Sequence, residues 1–512
     1  MNAMTWSELV GHCNAILPHI VIAATICAVV LADLLVSLRA SRRVCGGIAL
    51  GGTILALLLL IARFAPSSAT GASFRGMFVH DQAGTVFNAI LLLGAAGAIL
   101  FSMRSRELEG FRHGEYFSLL LGGLMGAMFL VTADNFILFV IGMETLSIGS
   151  YVLAGSAKHN RLSAEASLKY LVYGAVASGV MLFGISYWYG MTGTLTIGAG
   201  GAELARMASG GFANRLGVLL VLALILAGVG FKCAMVPFHF WCPDVYQGAP
   251  TPITAFLAVV SKTAGFGALV RLMLPFFTMG GAAGTLNAAA LPIMFGILSV
   301  VTMTYGNLAA IRQTDVKRLL AYSSIAHAGY LLLGMTVYRA DSIEAMLFYL
   351  FVYLFMNLGA FWVAIVVINR AGRSDIAAFR GMATRSPVLA TAMFIFLIAL
   401  TGLPPTAGFV GKFMIFKVVI GAGLGHMTEA GVITPMAMFY FTIALIGVLN
   451  SAISLYYYMT IIRAMAFDAP DGGVLVEESG WDRVYAVGLA VPTVVLLHFA
   501  PILAIIRLAA GG

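Results

Sequence analysis

Read in windows of about 20 residues, the length an α-helix needs to cross a hydrocarbon core, the chain resolves into fourteen apolar stretches. They run 17–38, 46–63, 81–102, 116–132, 134–155, 164–190, 215–241, 251–276, 286–306, 316–337, 343–369, 389–422, 434–462 and 484–507. Each predicts a membrane-spanning helix, so the expected fold is an all-α polytopic membrane protein. Two stretches carry their own interruption. Pro237 falls inside the seventh, and Gly402, Leu403, Pro404 and Pro405 fall inside the twelfth, which is too long for one straight span. Proline removes a helix hydrogen bond and clashes with the preceding turn. Both stretches should therefore be broken helices.

The breaks fall in fourth place within spans 4–8 and again within spans 9–13. Equivalent interruptions in two halves predict inverted repeats of five helices, with polar sites at the breaks. Five being odd, the second copy enters the membrane from the opposite side. The expected division is 1–115 for helices 1–3, 116–276 for the first repeat, 277–463 for the second and 464–512 for helix 14.

Composition supports this and removes alternatives. Of 512 residues, 61% are hydrophobic and only 10% charged, against about 25% charged in soluble proteins. Loops are short, the longest, around 191–214, is glycine-rich, and no segment outside the membrane could fold as a catalytic domain. Neither a GxGxxG turn nor a P-loop is present, so if the protein takes part in redox chemistry or nucleotide hydrolysis, another subunit does it. Cys13, Cys27, Cys45, Cys233 and Cys242 form no CxxC pair, and neither a cluster, a zinc site nor a disulfide framework is indicated. The net charge of +8 is scattered, without the basic stripe and aromatic partners of a nucleic-acid binder. Stretch 17–38 is long enough to span and is followed by Arg39, Arg42 and Arg43, so it does not read as a cleaved signal.

Lys and Arg orient the spans. With the N-terminus outside, 17 basic residues fall on the cytoplasmic side and 7 on the other. Both termini are then periplasmic, in a bacterial inner membrane. The remaining five of the 29 basic residues, Lys169, Lys232, Lys262, Lys412 and Lys417, lie inside spans.

A lysine or glutamate at the bilayer centre costs about 2.5–3.5 kcal/mol on insertion scales. Such residues must face one another, other polar groups or water. Desolvation favours the neutral amine while a nearby carboxylate favours the ammonium, and a group poised between the two can load and release a proton. Glu144 lies midway along its span; the plainer reading is a carboxyl that neutralises itself or bonds a neighbouring helix. Lys232 lies five residues before Pro237, where freed backbone is tolerated only beside protein or a water-filled cavity. Lys262 sits near the centre of 251–276, as a proton site or a structural ion pair. Lys412 follows the second break by about two turns, whereas Lys417 points about 140° away and reads as interfacial. Lys169 is close to the start of its span, where snorkelling and channel lining both remain open. His239, after Pro237, and His327, one turn from Ser323 and Ser324, are relay candidates, or hydrogen-bonded structural histidines. Asp33, near the end of span 1, should bind a neighbour or water.

The stretch FKCAMVPFHFWCPDVYQGAPTPITAFLAVVSKTAGFGALVRL at 231–272 closely resembles the subunit N family of bacterial NADH-quinone oxidoreductase, respiratory complex I. TGLPPTAGFVGKFMIFK, YGNLAAIRQTDVKRLLAYSSIAHAGYLLLG and FVIGMETLSIGSYVLAG resemble its other blocks, and the similarity covers roughly 17–505. PDVYQGAPTP separates it from the related subunits L and M, and Lys412 stands where subunit M carries glutamate. The resemblance implies fourteen helices with inverted repeats, a Glu144–Lys232 pair, a central Lys262 and a terminal Lys412. It implies proton translocation driven by electron transfer from NADH to quinone, with FMN, iron–sulfur clusters and quinone held by other subunits and no cofactor here. It implies subunits M, K and J as neighbours. The rivals are a cation/proton antiporter not driven by redox chemistry and a membrane scaffold without conduction.

Overall fold

The computed structural model describes residues 6–63, 71–109, 113–157, 160–278, 289–337, 339–428, 431–469 and 479–496. The chain opens with α1 (Trp6–Ala15), α2 (Leu17–Leu35) and α3 (Leu38–Ala62), then a short antiparallel hairpin of β1 (Gly71–Ser73) and β2 (Phe78–His80). The arginines at 42 and 43 belong to α3 rather than to a loop. Asp33 accepts from the Ser41 hydroxyl at 2.6 Å across the α2–α3 turn, the neighbour expected for it.

Next come α4 (Gln82–Ser102), α5 (His113–Thr132), α6 (Phe136–Ala154) and α7 (Arg161–Thr192). The glycine-rich segment expected as loop contains a helix, α8 (Ile197–Ala208). Its glycines hide a buried stripe of Ile197, Leu204, Ala205 and Ala208 at helical spacing. Beyond it, α9 (Phe212–Cys233) and α10 (Trp241–Gly248) flank the first break. A third piece, α11 (Thr251–Phe256), runs through a π-helical turn, Leu257–Ser261, into α12 (Lys262–Thr278). Residues 251–273 form a run buried without interruption. Its far end is fastened by Arg271, which binds both oxygens of Asp81, the N-cap of α4, and donates to the Val131 carbonyl at 2.7 Å.

The second half contains α13 (Leu291–Ala310), α14 (Val316–Gly334), α15 (Ala340–Ala371), the short α16 (Met382–Arg385), α17 (Pro387–Thr401) and α18 (Ala407–Gly425). It closes with α19 (Pro435–Ala466) and α20 (Gly480–Val495); the rest of the stretch expected at 484–507 lies outside the described residues. Among the described residues twelve helices are long and apolar enough to cross a membrane. Of the fourteen expected, α14 and α20 fall outside that set. The polar run in α14, from Lys317 to His327, lowers its hydropathy, and burial inside the bundle is what makes such a run tolerable.

Local devices recur in the two halves. The loop before α6 pairs with the residues after α7 through the bridge Asn135↔Thr196, and the loop before α14 pairs with the residues after α15 through Asp315↔Asp375. Both α7 and α15 have 32 residues and end on a left-handed glycine, Gly193 and Gly372. Then each half breaks a helix on a left-handed residue, Ala234 at φ 55° and Gly402 at φ 84°.

Candidate proton path

The second break explains where Lys412 points. When α17 stops at Thr401, its last carbonyls lose their helical partners and carry the negative end of the helix dipole. Lys412, from α18, donates to Leu400 O at 3.1 Å, Thr401 O at 2.8 Å and Ser451 Oγ at 3.4 Å. Its ammonium also lies 4.3 Å from the Tyr330 ring centroid. A side chain on Gly402 would place its Cβ 2.7 Å from Lys412 Cδ, so glycine serves both the left-handed turn and the passage of the lysine stem.

Lys262 opens α12 directly after the π-helical turn, a local widening that recurs at functional sites. Its Nζ donates to both the carbonyl and the hydroxyl of Ser324. Tyr353 donates to the same hydroxyl at 3.0 Å, and Tyr246 lies 3.4 Å from it. One turn along α14 comes His327, on the same face as Ser324. Its Nδ1 is 2.5 Å from the Tyr349 hydroxyl and its Nε2 3.3 Å from that of Tyr458, which is itself bonded to Ser323. Along α14, His327 lies between Ser324, which Lys262 binds, and Tyr330, whose ring Lys412 faces.

Lys232 is built differently. It is the penultimate residue of α9 and 1% exposed, yet its Nζ has no hydrogen-bond partner among the described residues. Aromatic faces surround it, with the ammonium 5.7 Å from the Tyr170 centroid and 5.5 Å from that of Phe231. The carboxylate that acts on it is Glu144, whose Oε1 is buried and likewise unpartnered among the described residues. The Tyr170 hydroxyl and the Ser261 and Thr263 hydroxyls share that condition. The backbone of Lys232 and Cys233 lies against α12 at Gly265, where an added Cβ would meet it at 3.0–3.1 Å, so the two lysine-bearing helices touch within a turn of Lys262.

Glu144 is not enclosed as deeply as a mid-span position suggested. It is half-buried, on the rim of an outward stripe in which Ile141 is 49% and Ile148 57% exposed. Lys169 stands apart from the line. Its side chain is 38% exposed and pairs with Glu165 at 2.7 Å and Asp244 at 2.6 Å, and Asp244 also takes Arg318 at 2.6 Å. His239 is 2% exposed and its ring nitrogens find no partner among the described residues; its ring packs 4.4 Å from that of Tyr305. Lys417 is exposed, as an interfacial residue would be.

The tyrosines of the line escaped the sequence reading because an aromatic in an apolar stretch looks like packing. The one signal was spacing: Tyr349 and Tyr353 fall four apart on α15 and reach the same face of α14. Lys317, at the edge of the stretch expected at 316–337, is 4% exposed and bonded to the Ala249 carbonyl at 2.6 Å. Among the described residues no group of three or more His, Cys, Asp or Glu is placed to hold a metal ion.

Residues 133–438 match the family described as NADH:quinone oxidoreductase/Mrp antiporter, transmembrane region. NADH-quinone oxidoreductase subunit N of an Anaeromyxobacter species is 43% identical over 408 residues, covering 78% of this chain and 77% of that one. NAD(P)H-quinone oxidoreductase subunit 2 of Trichormus variabilis is 37% identical, covering 91% and 85%. A chain of respiratory complex I from Thermus thermophilus superimposes with a TM-score of 0.76 at 30% identity, over 97% of this chain and 100% of that one. A chain of the Mrp complex from a Dietzia strain shares the fold, at a TM-score of 0.76 and 20% identity.

Proposed function

Because the chain belongs to the NADH:quinone oxidoreductase/Mrp antiporter family, as a membrane subunit of the subunit N type, we propose that Glu144, Lys232, Lys262, His327 and Lys412 form its proton path. The observation that carries this reading is that three lysines, each 1–3% exposed, sit at or beside helix irregularities, and that His327 lies on α14 between the Ser324 that Lys262 binds and the Tyr330 that Lys412 faces. Facing lipid, three such charges would cost about 9 kcal/mol. Interior placement beside carbonyls, hydroxyls and a carboxylate offsets that cost and leaves each amine able to exchange its proton. Lys169 and His239 flank the path.

In the complex, electrons pass from NADH to quinone through FMN and iron–sulfur clusters in other subunits. This subunit converts the resulting push into proton movement. Moving one charge against 100 mV takes about 2.3 kcal/mol, and the trigger arrives through the partners. The outward rim at Glu144 is where a neighbour would act on the Glu144–Lys232 pair. The proposed arrangement comprises fourteen spans in two inverted repeats, subunits M, K and J alongside, and both termini in the periplasm of a bacterial inner membrane. The recurrent bridges, 32-residue helices and broken helices favour the repeats. A redox-independent antiporter shares this fold, but the relatives at 37–43% identity carry quinone oxidoreductase names.

The test is Glu144→Gln in the assembled complex, with proton delivery and NADH oxidation measured together in proteoliposomes. Reduced protons per NADH supports the path. Full pumping with full coupled turnover rejects it.

A further inference from the structure

A cavity of about 550 Å³ lies where the two halves meet. Its walls come from the turn Arg106–Leu108, the loop after α6, the end of α10, the start of α14 and the end of α15. Glu107, Glu109, Asp315, Lys317 and Arg373 give it charges of both signs, and Gln247 adds a neutral amide. Nothing in the path described above uses it.

The acids in this cavity are not equivalent. Asp315 is occupied as the N-cap of α14, accepting from the Arg318 amide at 2.9 Å and from Ser374. Glu109 is exposed. Glu107 alone reaches the floor. One of its oxygens accepts from the Thr251 amide at 2.8 Å, and the other lies 3.8 Å from the ammonium of Lys317, itself 4% exposed. Lys317 donates in turn to the Ala249 carbonyl.

From that floor the distance to the path is short. Lys317 and Ser324 are seven residues apart on α14, so they share a face about 10 Å apart along the axis. Tyr246 bridges the interval. It sits beside Gln247 and Gly248 of the cavity wall, its carbonyl accepts from Thr254 at 3.1 Å, and its hydroxyl faces the Ser324 hydroxyl that Lys262 holds.

We propose that this cavity is the entry chamber through which Lys262 is loaded, with Glu107 as the outer proton acceptor and Lys317 as the cation that positions it. The inference rests on the proton path above. A hydronium in the chamber gives its proton to the Glu107 carboxylate and leaves as water. The acid passes the proton inward through chamber water and the Tyr246 and Ser324 hydroxyls, each releasing one proton as it accepts another, and the neutral amine of Lys262 receives the last.

The experiment uses the intact complex in proteoliposomes and compares Glu107→Gln, Lys317→Arg and a chamber-filling Ala157→Phe with the parent and with Lys262→Ala. Protons delivered per NADH oxidised should fall in Glu107→Gln and Ala157→Phe to the level of Lys262→Ala, while Lys317→Arg, which keeps the charge, pumps near the parent. Ala157 touches the chamber only at a loop, so this variant carries the test if Glu107→Gln fails to assemble. Parent-like pumping in both chamber variants beside a deficient Lys262→Ala overturns the entry chamber and leaves the path standing. Parent-like pumping in Lys262→Ala as well overturns the path itself.

Discussion

The two helix breaks place a lysine in the same kind of setting and treat it in opposite ways. At the second, Lys412 is tied to the carbonyls its own break releases and to Ser451, and its neighbours His327, Tyr349, Tyr458 and Ser323 bond one another. At the first, Lys232, Glu144 Oε1, Tyr170 and Ser261 are buried without partners among the described residues. A buried polar group left unmade costs about 1–3 kcal/mol. The first site therefore holds a set of groups in need of water or of one another, and its charges respond to small movements. The second holds its charge in a fixed cradle. On the proposed path, the first site suits a coupling element and the second a terminus.

Exchanging each lysine for methionine separates the two most strongly. Both substitutions should remove this subunit's contribution to pumping. Lys412→Met also strands two carbonyls and a hydroxyl, so the assembled complex should lose thermal stability by about 1–3 kcal/mol. Lys232→Met breaks no bond and should leave stability unchanged or raised. Equal losses of stability, read by thermal unfolding of the purified complex, would erase the distinction.

The hinge residues give a smaller effect of opposite sign. Gly402→Ala puts a Cβ onto Lys412 and into a left-handed turn, for a cost of about 1–2 kcal/mol and slower pumping. Ala234→Gly relieves about 1–2 kcal/mol of left-handed strain at the first break and gives back about 0.4–1 kcal/mol to the looser unfolded chain, for a small net stabilisation. Paired unfolding curves check both signs. Smallest is Tyr349→Phe, which removes one hydrogen bond to His327 worth about 1 kcal/mol. It should slow proton delivery without abolishing it, since Tyr458 still reaches the other ring nitrogen.

How far the sequence revealed this depends on the residue. The breaks were legible because proline and glycine act locally, and Lys232, Lys262 and Lys412 were legible because charge inside an apolar stretch has a known cost. Lys169 was not separable from them by position, since its partner Asp244 lies 75 residues away and meets it only in the folded bundle. The burial of Lys317 was not legible because nothing in its neighbours says that the start of α14 is covered. Helix α8 was missed because its glycines read as loop. The hydroxyls that link Lys262 to His327 come from α10, α15 and α19, whose meeting on one face of α14 is a property of packing.

The central claim is that protons cross the interior between the breaks, and ordered water in the assembled complex tests it most directly. A high-resolution cryo-EM map should show waters bonded to Lys232 Nζ, Glu144, Tyr170 and Ser261 and continuing to Lys262, with few needed around Lys412. Dry apolar packing between Lys232 and Lys262, with the Lys232 ammonium turned out toward lipid headgroups, would contradict it.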